Sequence, residues 1–312
     1  YCSLASGADI LFAEAMAEEG GEVHVLMPFS KDDFIHTSLL FAGEHWVKRF
    51  EDLLNKFPIT FITTESYGGN DDLFSLLGKI IFGSAVLRSQ MYHQEPYLLT
   101  VLSELDMKRM EGGTRDTIRM WPYPQKHANI NPDTMYAPAD IVPAVANAPG
   151  KELPVIADRP VLYMACIEVA DLLPMEKERI EKSVNSLIEE QQVLSKIFKV
   201  IDDSIIIALD SEISLLDIVR TIWNSTAPFK PEKPIRIALH VAPVYMNSDA
   251  DEKNFRFLKA IGQYTPKGSV CSSTEFAAVL ALHPKKFQLN YIGVIQLVEE
   301  VESNGLYKVT LK

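Results

Sequence analysis

Apolar positions along the chain recur at two spacings, and the order in which the spacings alternate changes halfway. Over residues 9–19, Ile10, Leu11, Ala13 and Ala15 recur at helical spacing, and the run stops at Gly20-Gly21, a common helix end. Residues 22–27 form a short apolar strand pattern closed by Pro28. An amphipathic helix over 46–56, a strand over 59–64, a long helix over 73–92 and a strand over 97–102 follow, with a further helix after Gly112-Gly113-Thr114. Apolar strands separated by helices predict a parallel sheet wound on both faces, a Rossmann-like α/β domain over residues 1–125.

From Trp121 to Pro160 the pattern breaks. Eight of the 18 prolines fall there, and proline removes a backbone donor and disfavours helix before it. Residues 126–158 therefore read as a proline-rich linker or extended segment. Beyond it the order is strand (161–168), helix (174–192), hairpin (196–209), helix (213–224), strand (235–241), a short helical stretch (254–261), strand (268–272), helix (274–282) and a closing pair (287–297, 307–311). Such β-α-β-β-α-β order predicts an α+β, ferredoxin-like second domain over 159–312.

Composition narrows the function classes. A chain of 312 residues suits two domains, and 47% hydrophobic with 23% charged residues describes a globular protein. A net charge of −12 argues against a broad nucleic-acid surface, which needs clustered Lys and Arg. Cys2, Cys166 and Cys271 are scattered, which fits neither structural zinc nor a disulfide framework and points to a reducing cytoplasm. No apolar run approaches the roughly 20 residues that cross a bilayer, and no signal peptide pattern opens the chain. The chain starts at Tyr1 and enters a helix pattern almost at once, so a first strand and initiator region are read as missing.

Candidate chemistry sits at turns. Ser6-Gly7-Ala8-Asp9 opens a helix, where small residues let a ligand approach and free N–H groups favour an anion. Gly112-Gly113-Thr114 repeats the arrangement after a strand, the placement a doubly wound fold uses for a phosphate-bearing ligand. Helix capping alone would account for either turn, since short glycine motifs are common. Arg88 and Arg115 would suit a phosphate but are ordinary as solvated helix residues. Asp32-Asp33 and Asp71-Asp72 read as helix caps. His24 and His36 lack a partner at metal-ligand spacing, and Tyr67-Gly68-Gly69 precedes a helix beside the same expected crevice.

Two resemblances sharpen this. Ser6-Gly-Ala-Asp-Ile-Leu-Phe-Ala-Glu-Ala, Glu22-Val-His-Val-Leu-Met-Pro-Phe, Asp33-Phe-Ile-His-Thr-Ser and Trp46-Val-Lys-Arg-Phe-Glu resemble a bacterial branch of the SLOG superfamily, over residues 1–121. That superfamily includes the LOG phosphoribohydrolases and the DNA-processing protein A type. The resemblance implies recognition of a nucleotide or nucleotide-derived ligand through Ser6, Gly7, Asp9, Gly112, Gly113 and Thr114. The hydrolytic members carry a fuller Pro-Gly-Gly-x-Gly-Thr loop with a nearby Glu. Here only Gly112-Gly113-Thr114 remains, after Met110-Glu111, which favours binding over hydrolysis.

Phe198-Lys-Val-Ile-Asp-Asp-Ser-Ile-Ile-Ile-Ala-Leu, Ile235-Arg-Ile-Ala-Leu-His-Val-Ala-Pro-Val-Tyr, Thr265-Pro-Lys-Gly-Ser-Val-Cys-Ser-Ser and Tyr291-Ile-Gly-Val-Ile-Gln-Leu resemble strands of class III nucleotidyl cyclase domains. Cyclases of that class use two metal ions on two carboxylates to cyclise a nucleoside triphosphate, with an Asn and an Arg one turn apart at the transition state. Along Leu162-Tyr-Met-Ala-Cys-Ile-Glu-Val-Ala-Asp, Cys166 takes the place of the first metal Asp. Asp203 retains the second, Asp202 replaces the usual turn Gly, Arg256 stands in the Asn slot and Ala260 in the Arg slot. A thiol is a poor ligand for a hard cation such as Mg2+. Glu168, two residues on and on the same strand face, is the one substitute that could join Asp203 around Mg or Mn with a nucleotide.

The resemblance thus implies a noncatalytic pseudocyclase in a signalling module, able to bind nucleotide or to homodimerise through its cyclase-like domain. A divergent cyclase making cyclic nucleotide and a SLOG-type nucleotide hydrolase are the alternatives. The amphipathic stripe Ile180, Val184, Leu187, Ile188 and Gln191 is accounted for by packing on the sheet.

Overall fold

A computed structural model describes residues 1–69, 72–103, 118–134, 160–191, 193–194, 196–226, 235–244, 249–296 and 303–311. The chain divides into two compact units, Tyr1–Asp158 and Arg159–Lys312.

Near the start of the first unit Cys2 makes an isolated parallel bridge to Val25. Helix α1 (Ala8–Glu18) leads to strand β1 (Val25–Met27), which pairs in parallel with β2 (Ile59–Phe61). Between them lie α2 (Lys31–Ser38) and α3 (Glu44–Leu54), and α4 (Asp72–Met91) follows. Strand β3 (Leu98–Val101) pairs in parallel with β4 (His127–Ile130). All three β1 side chains are buried, as expected of an apolar strand covered on both faces. The core is aromatic: Phe34 stacks on Phe50 at 5.8 Å, and Phe29 meets Phe74 edge-on at 5.3 Å.

Two expectations change here. Among the described residues the parallel strands form two separate two-stranded sheets rather than one doubly wound sheet. Strand β4 lies inside the stretch read as linker: its hydrogen bonds to β3 make that part of the proline-rich segment an element of the first unit. Helix α2 also went unread, because its one buried apolar side chain, Phe34, leaves too short a stripe for periodicity to register.

The second unit is one seven-stranded sheet. Strand β5 (Val161–Glu168) lies between β7 (Ser204–Leu209) and β8 (Arg236–Pro243), antiparallel to both. Strand β6 (Lys196–Ile201) closes a hairpin with β7, and α5 (Pro174–Glu189) and α6 (Glu212–Ser225) make the two crossovers. The order β8-β5-β7-β6 is that of a split βαβ fold. Helix α7 (Asp249–Tyr264) then leads to β9 (Val270–Ser272), parallel to β8, and α8 (Thr274–Ala281) to the hairpin β10 (Phe287–Gln296) and β11 (Ser303–Leu311). The full order is β10-β11-β9-β8-β5-β7-β6. Helix α7 is longer than the short stretch expected from its sequence.

Alternation along β5 sorts its two faces. Leu162, Met164 and Cys166 join one buried cluster with Leu258 and Ile261 of α7, whereas Tyr163 meets Phe276 of α8 edge-on at 6.2 Å. No helix among the described residues is long and apolar enough to cross a membrane.

Candidate functional site

The hairpin end of the second unit collects the residues expected to do cyclase chemistry. The two-residue turn between β6 and β7 bends through Asp202, held at φ 53° in the left-handed region that glycine would take more easily. The turn presents two carboxylates. Asp202 pairs with Lys259 of α7 at 3.1 Å, and Asp203 pairs with Lys177 of α5. The Asp203 carbonyl also accepts the Val169 N–H at 2.8 Å, which ties the turn to the end of β5.

Cys166 has no exposed surface and sits in the apolar cluster beneath α7. Burial, reinforced by the neighbouring Glu168 carboxylate, pushes its thiol up to about 12, so it stays protonated at neutral pH. The thiol donates to Glu168 Oε1 at 3.6 Å, and the same oxygen accepts the Ser204 hydroxyl at 3.0 Å. On the other side Gly262 of α7 leaves room for this carboxylate: a Cβ there would lie 3.1 Å from Oε1.

Glu168 is taken up by a hydroxyl and a thiol, and Asp203 by an ammonium. Among the described residues no group of three His, Cys, Asp or Glu side chains could hold a metal ion.

The positions expected to stabilise a transition state lie on α7. Arg256 is exposed, and Ala260 is buried with no polar atom to offer. Asn254, the nearest amide, donates to the Pro243 carbonyl at 3.1 Å. Sequence reasoning missed Lys177, Lys259, Ser204 and Gly262. Register supplies a signal only for Ser204, which sits opposite Glu168, while the lysines arrive from helices 26 and 57 residues away in sequence from the aspartates they pair with.

In the first unit the structure places Ser6 and Gly7 just ahead of α1, with Gly7 at φ 93°. The Ser6 N–H donates to the Ser38 carbonyl at 3.1 Å, and the Gly7 carbonyl accepts the first helical N–H, from Leu11, at 3.0 Å. Asp9 turns back on the loop: its Oδ2 accepts the Ser3 hydroxyl at 2.6 Å, the Ser3 N–H at 3.1 Å and the Ala5 N–H at 3.3 Å. Gly112, Gly113, Thr114, Arg115 and Asp71 lie outside the described residues.

Arg88, His24 and Asp33 also have partners. Arg88 bonds His24 Nε2 at 2.9 Å and pairs with Glu22, while Tyr1 stacks on His24 at 4.6 Å. Burial and the nearby guanidinium hold His24 below its usual value. Asp33 is not the cap expected of it: Ser30 is the N-cap of α2, and the Asp33 carboxylate inside the helix accepts the Ser30 hydroxyl at 3.0 Å and the Tyr67 N–H at 2.7 Å. A groove of about 730 Å³ between α1 and α3 is lined by Glu14, Gly21, Arg49 and Lys56, and it does not include Ser6, Gly7 or Asp9. Glu14 and Arg49 face each other there as a bidentate pair.

No protein-family profile matches the chain, and no curated protein is similar to it in sequence. Solved structures similar to it are cyclase domains. They include an adenylate/guanylate cyclase/hydrolase from Silicibacter pomeroyi at 12% identity and TM-score 0.39, covering 49% of this chain and 98% of that one. The adenylyl cyclase CyaB from P. aeruginosa matches at 10% identity and TM-score 0.36, over 50% of this chain and 96% of its own. The catalytic core of a rhodopsin-guanylyl cyclase in complex with ATPαS matches at 12% identity and TM-score 0.37, over 49% and 96%. Each covers about half of this chain, and the fold of the second unit rests on its own strand order.

Proposed function

We propose that this chain is a noncatalytic nucleotide-responsive signalling module, in which a SLOG-like, Rossmann-like first unit recognises a nucleotide or nucleotide-derived ligand and a pseudocyclase unit transmits the response. The observation that carries the second half is the pairing at the β6–β7 turn. Both turn carboxylates are neutralised by lysines of the same chain, and the position of the other metal ligand is a buried, protonated thiol. Cyclisation needs preorganised charge at the α-phosphate, and losing one such contact costs about 10²–10³ in rate. With a thiol on β5, an alanine on α7 and both turn aspartates ion-paired, this end of the sheet lacks the charged set that the resemblance implies for cyclisation.

In the first unit, the turn Ser6-Gly7 and the motif Gly112-Gly113-Thr114 are the proposed approach for the ligand's phosphate, with Asp9 shaping the loop ahead of α1. The free thiols Cys2, Cys166 and Cys271 fit a reducing cytoplasm.

Two measurements test the reading. Incubation with each NTP and Mn2+ yields no cyclic nucleotide above the protein-free control; measurable product would make this a divergent cyclase instead. A thermal-shift screen over a nucleotide library finds at least one stabilising ligand, since saturation at about 100 times Kd adds about 2.7 kcal/mol. Absence of any shift removes the nucleotide half, and release of free base or ribose 5-phosphate from a bound nucleotide would replace it with hydrolysis.

A further inference from the structure

The second unit holds two of the chain's seven histidines, and each pairs with a glutamate at one end of α8. Histidine is the side chain whose ordinary charge change falls between pH 5 and 8, so the unit's response to mild acid is concentrated on one helix. Just past the far end of α8, His283 Nε2 lies 3.3 Å from Glu212 Oε1 of α6. At the start of α8 the arrangement is buried and incomplete. His240 of β8, only 6% exposed, has its Nδ1 2.9 Å from the Ser273 hydroxyl and 3.9 Å from Glu275 Oε2. Ser273 is the N-cap of α8, and its oxygen accepts the Phe276 N–H, which leaves its own proton for Nδ1 of a neutral imidazole. Glu275 Oε1 accepts from Asn304 of β11 at 2.8 Å, but Oε2 is buried with no hydrogen-bond partner among the described residues. Buried polar atoms normally have one. The same first turn is tied to β11 twice more, by the Thr274 N–H to Asn304 Oδ1 and by the Gly305 N–H to Thr274 Oγ1, each at 3.0 Å.

We propose that His240, Ser273 and Glu275 form an acid-released latch, closed while His240 is neutral, that fixes the start of α8 and through it the start of β11. In the closed state Nδ1 accepts the Ser273 hydroxyl. A proton taken up from water at Nδ1 turns that acceptor into a donor. The Ser273 hydroxyl then loses its bond, and the charged neighbour of the new N–H is Glu275 Oε2, still 3.9 Å away. Among the described residues no other charge acts on the imidazole. Helix α7 presents the Phe257 ring edge-on at 5.0 Å, and β5 sets Met164 opposite His240. Burial outranks the Glu275 carboxylate and holds His240 below its ordinary value. A histidine depressed in the fold takes up its proton more readily where the surrounding structure opens. The hold is therefore complete above about pH 6.5 and weakens as pH falls below it. Opening lets the imidazolium reach water, and the ties of α8 to Asn304 and Gly305 go with it. This inference is independent of nucleotide binding and of turnover.

Hydrogen exchange on the full chain from about pH 8 to pH 5, corrected for the intrinsic pH dependence of exchange, tests the latch without any variant. Protection of the α8 amides and of residues 304–306 is expected to fall by up to about tenfold per pH unit below about pH 6.5, the limit for one proton, while α5 stays within about threefold. Imidazole 15N shifts report His240 directly and show it mostly neutral at about pH 6.5. His240→Asn keeps an acceptor for the Ser273 hydroxyl but takes up no proton, and it flattens the profile. Glu275→Gln removes the neighbouring charge and moves the onset to lower pH, whereas His283→Asn leaves the onset in place. A flat profile in the unmodified chain, a His240 imidazole already protonated at neutral pH, or a slope that survives His240→Asn and moves with His283→Asn overturns the assignment. Should His240→Asn fail to fold, the exchange profile and imidazole shifts of the unmodified chain still decide. No outcome bears on cyclic nucleotide production or on the thermal-shift screen.

Discussion

Two turns in this protein expose aspartates at places where a ligand or metal was expected, and the two are occupied in different ways. At the start of α1, Asp9 is held by its own neighbourhood, accepting from Ser3 and Ala5 within six residues. At the β6–β7 turn, Asp202 and Asp203 are held by lysines from two different helices. The first arrangement shapes backbone; the second cancels charge. A carboxylate bonded to backbone N–H groups still leaves the loop's outer face open to a ligand. A carboxylate paired with an ammonium would have to exchange that partner to bind a metal ion. The two turns thus differ in what engages their carboxylates, local N–H and hydroxyl groups in the first unit and ammonium groups from distant helices in the second.

The largest expected effect tests whether the hairpin end is closed. Cys166→Asp places a carboxyl in an apolar cluster beside the Glu168 carboxylate. Breaking charge balance at such a site costs about 3–5 kcal/mol at neutral pH. A buried carboxyl has its folded pKa raised above its unfolded value of about 3.9, so the loss shrinks as pH falls and grows as pH rises through that value. Urea melts at pH 5 and pH 8 read the difference. A variant that keeps its stability and gains Mn2+ affinity would erase the contrast between the two turns.

Asp9→Ala comes next. It removes an acceptor from two N–H groups and a hydroxyl, and hydrogen bonds to a charged group contribute about 1.5–3 kcal/mol each, with partial recovery by water in this half-buried loop. A fall in Tm of several degrees is expected. No change would mean that the loop is shaped by the Ser6 to Ser38 bond instead.

The smallest effect belongs to the ion pair itself. Asp203 is 51% exposed in its side chain, so a double-mutant cycle between Lys177→Ala and Asp203→Ala should return a coupling of at most about 1 kcal/mol, weakening with salt. The pair's importance lies in occupying the carboxylate rather than in holding the fold. A coupling several times larger would recast the turn as a structural clamp.

Much of the second unit was legible in the chain itself. The continuous apolar runs of β5 and β7, the Asp202-Asp203 hairpin and the helices 174–189 and 212–225 follow from local pattern, because strands buried on both faces read as unbroken apolar runs and helices show a stripe. The first unit was less legible. Strand β4 hides among prolines, since its pairing with β3 depends on a partner some 30 positions away. At the site, the resemblance set Cys166 and Ala260 in the places of an acid and an arginine. The fate of the retained acids was not visible: Asp203 reads as a free metal ligand in any one-dimensional view.

Sequence by itself determined which functional groups exist: a thiol at Cys166, a methyl group at Ala260 and, far apart along the chain, a lysine-bearing strand and an uncharged ten-residue one. Those are facts of side-chain type, and no folding alters them. Tertiary structure alone decided what each remaining group is bound to. Lys177 and Lys259 reach the β6–β7 turn only because α5 and α7 converge on one end of the sheet, and β10 lies open only because the strand order ends there. The physical reason is range: burial and turn preference act over a few residues, whereas ion pairing and edge exposure depend on which distant segments the packed sheet brings together.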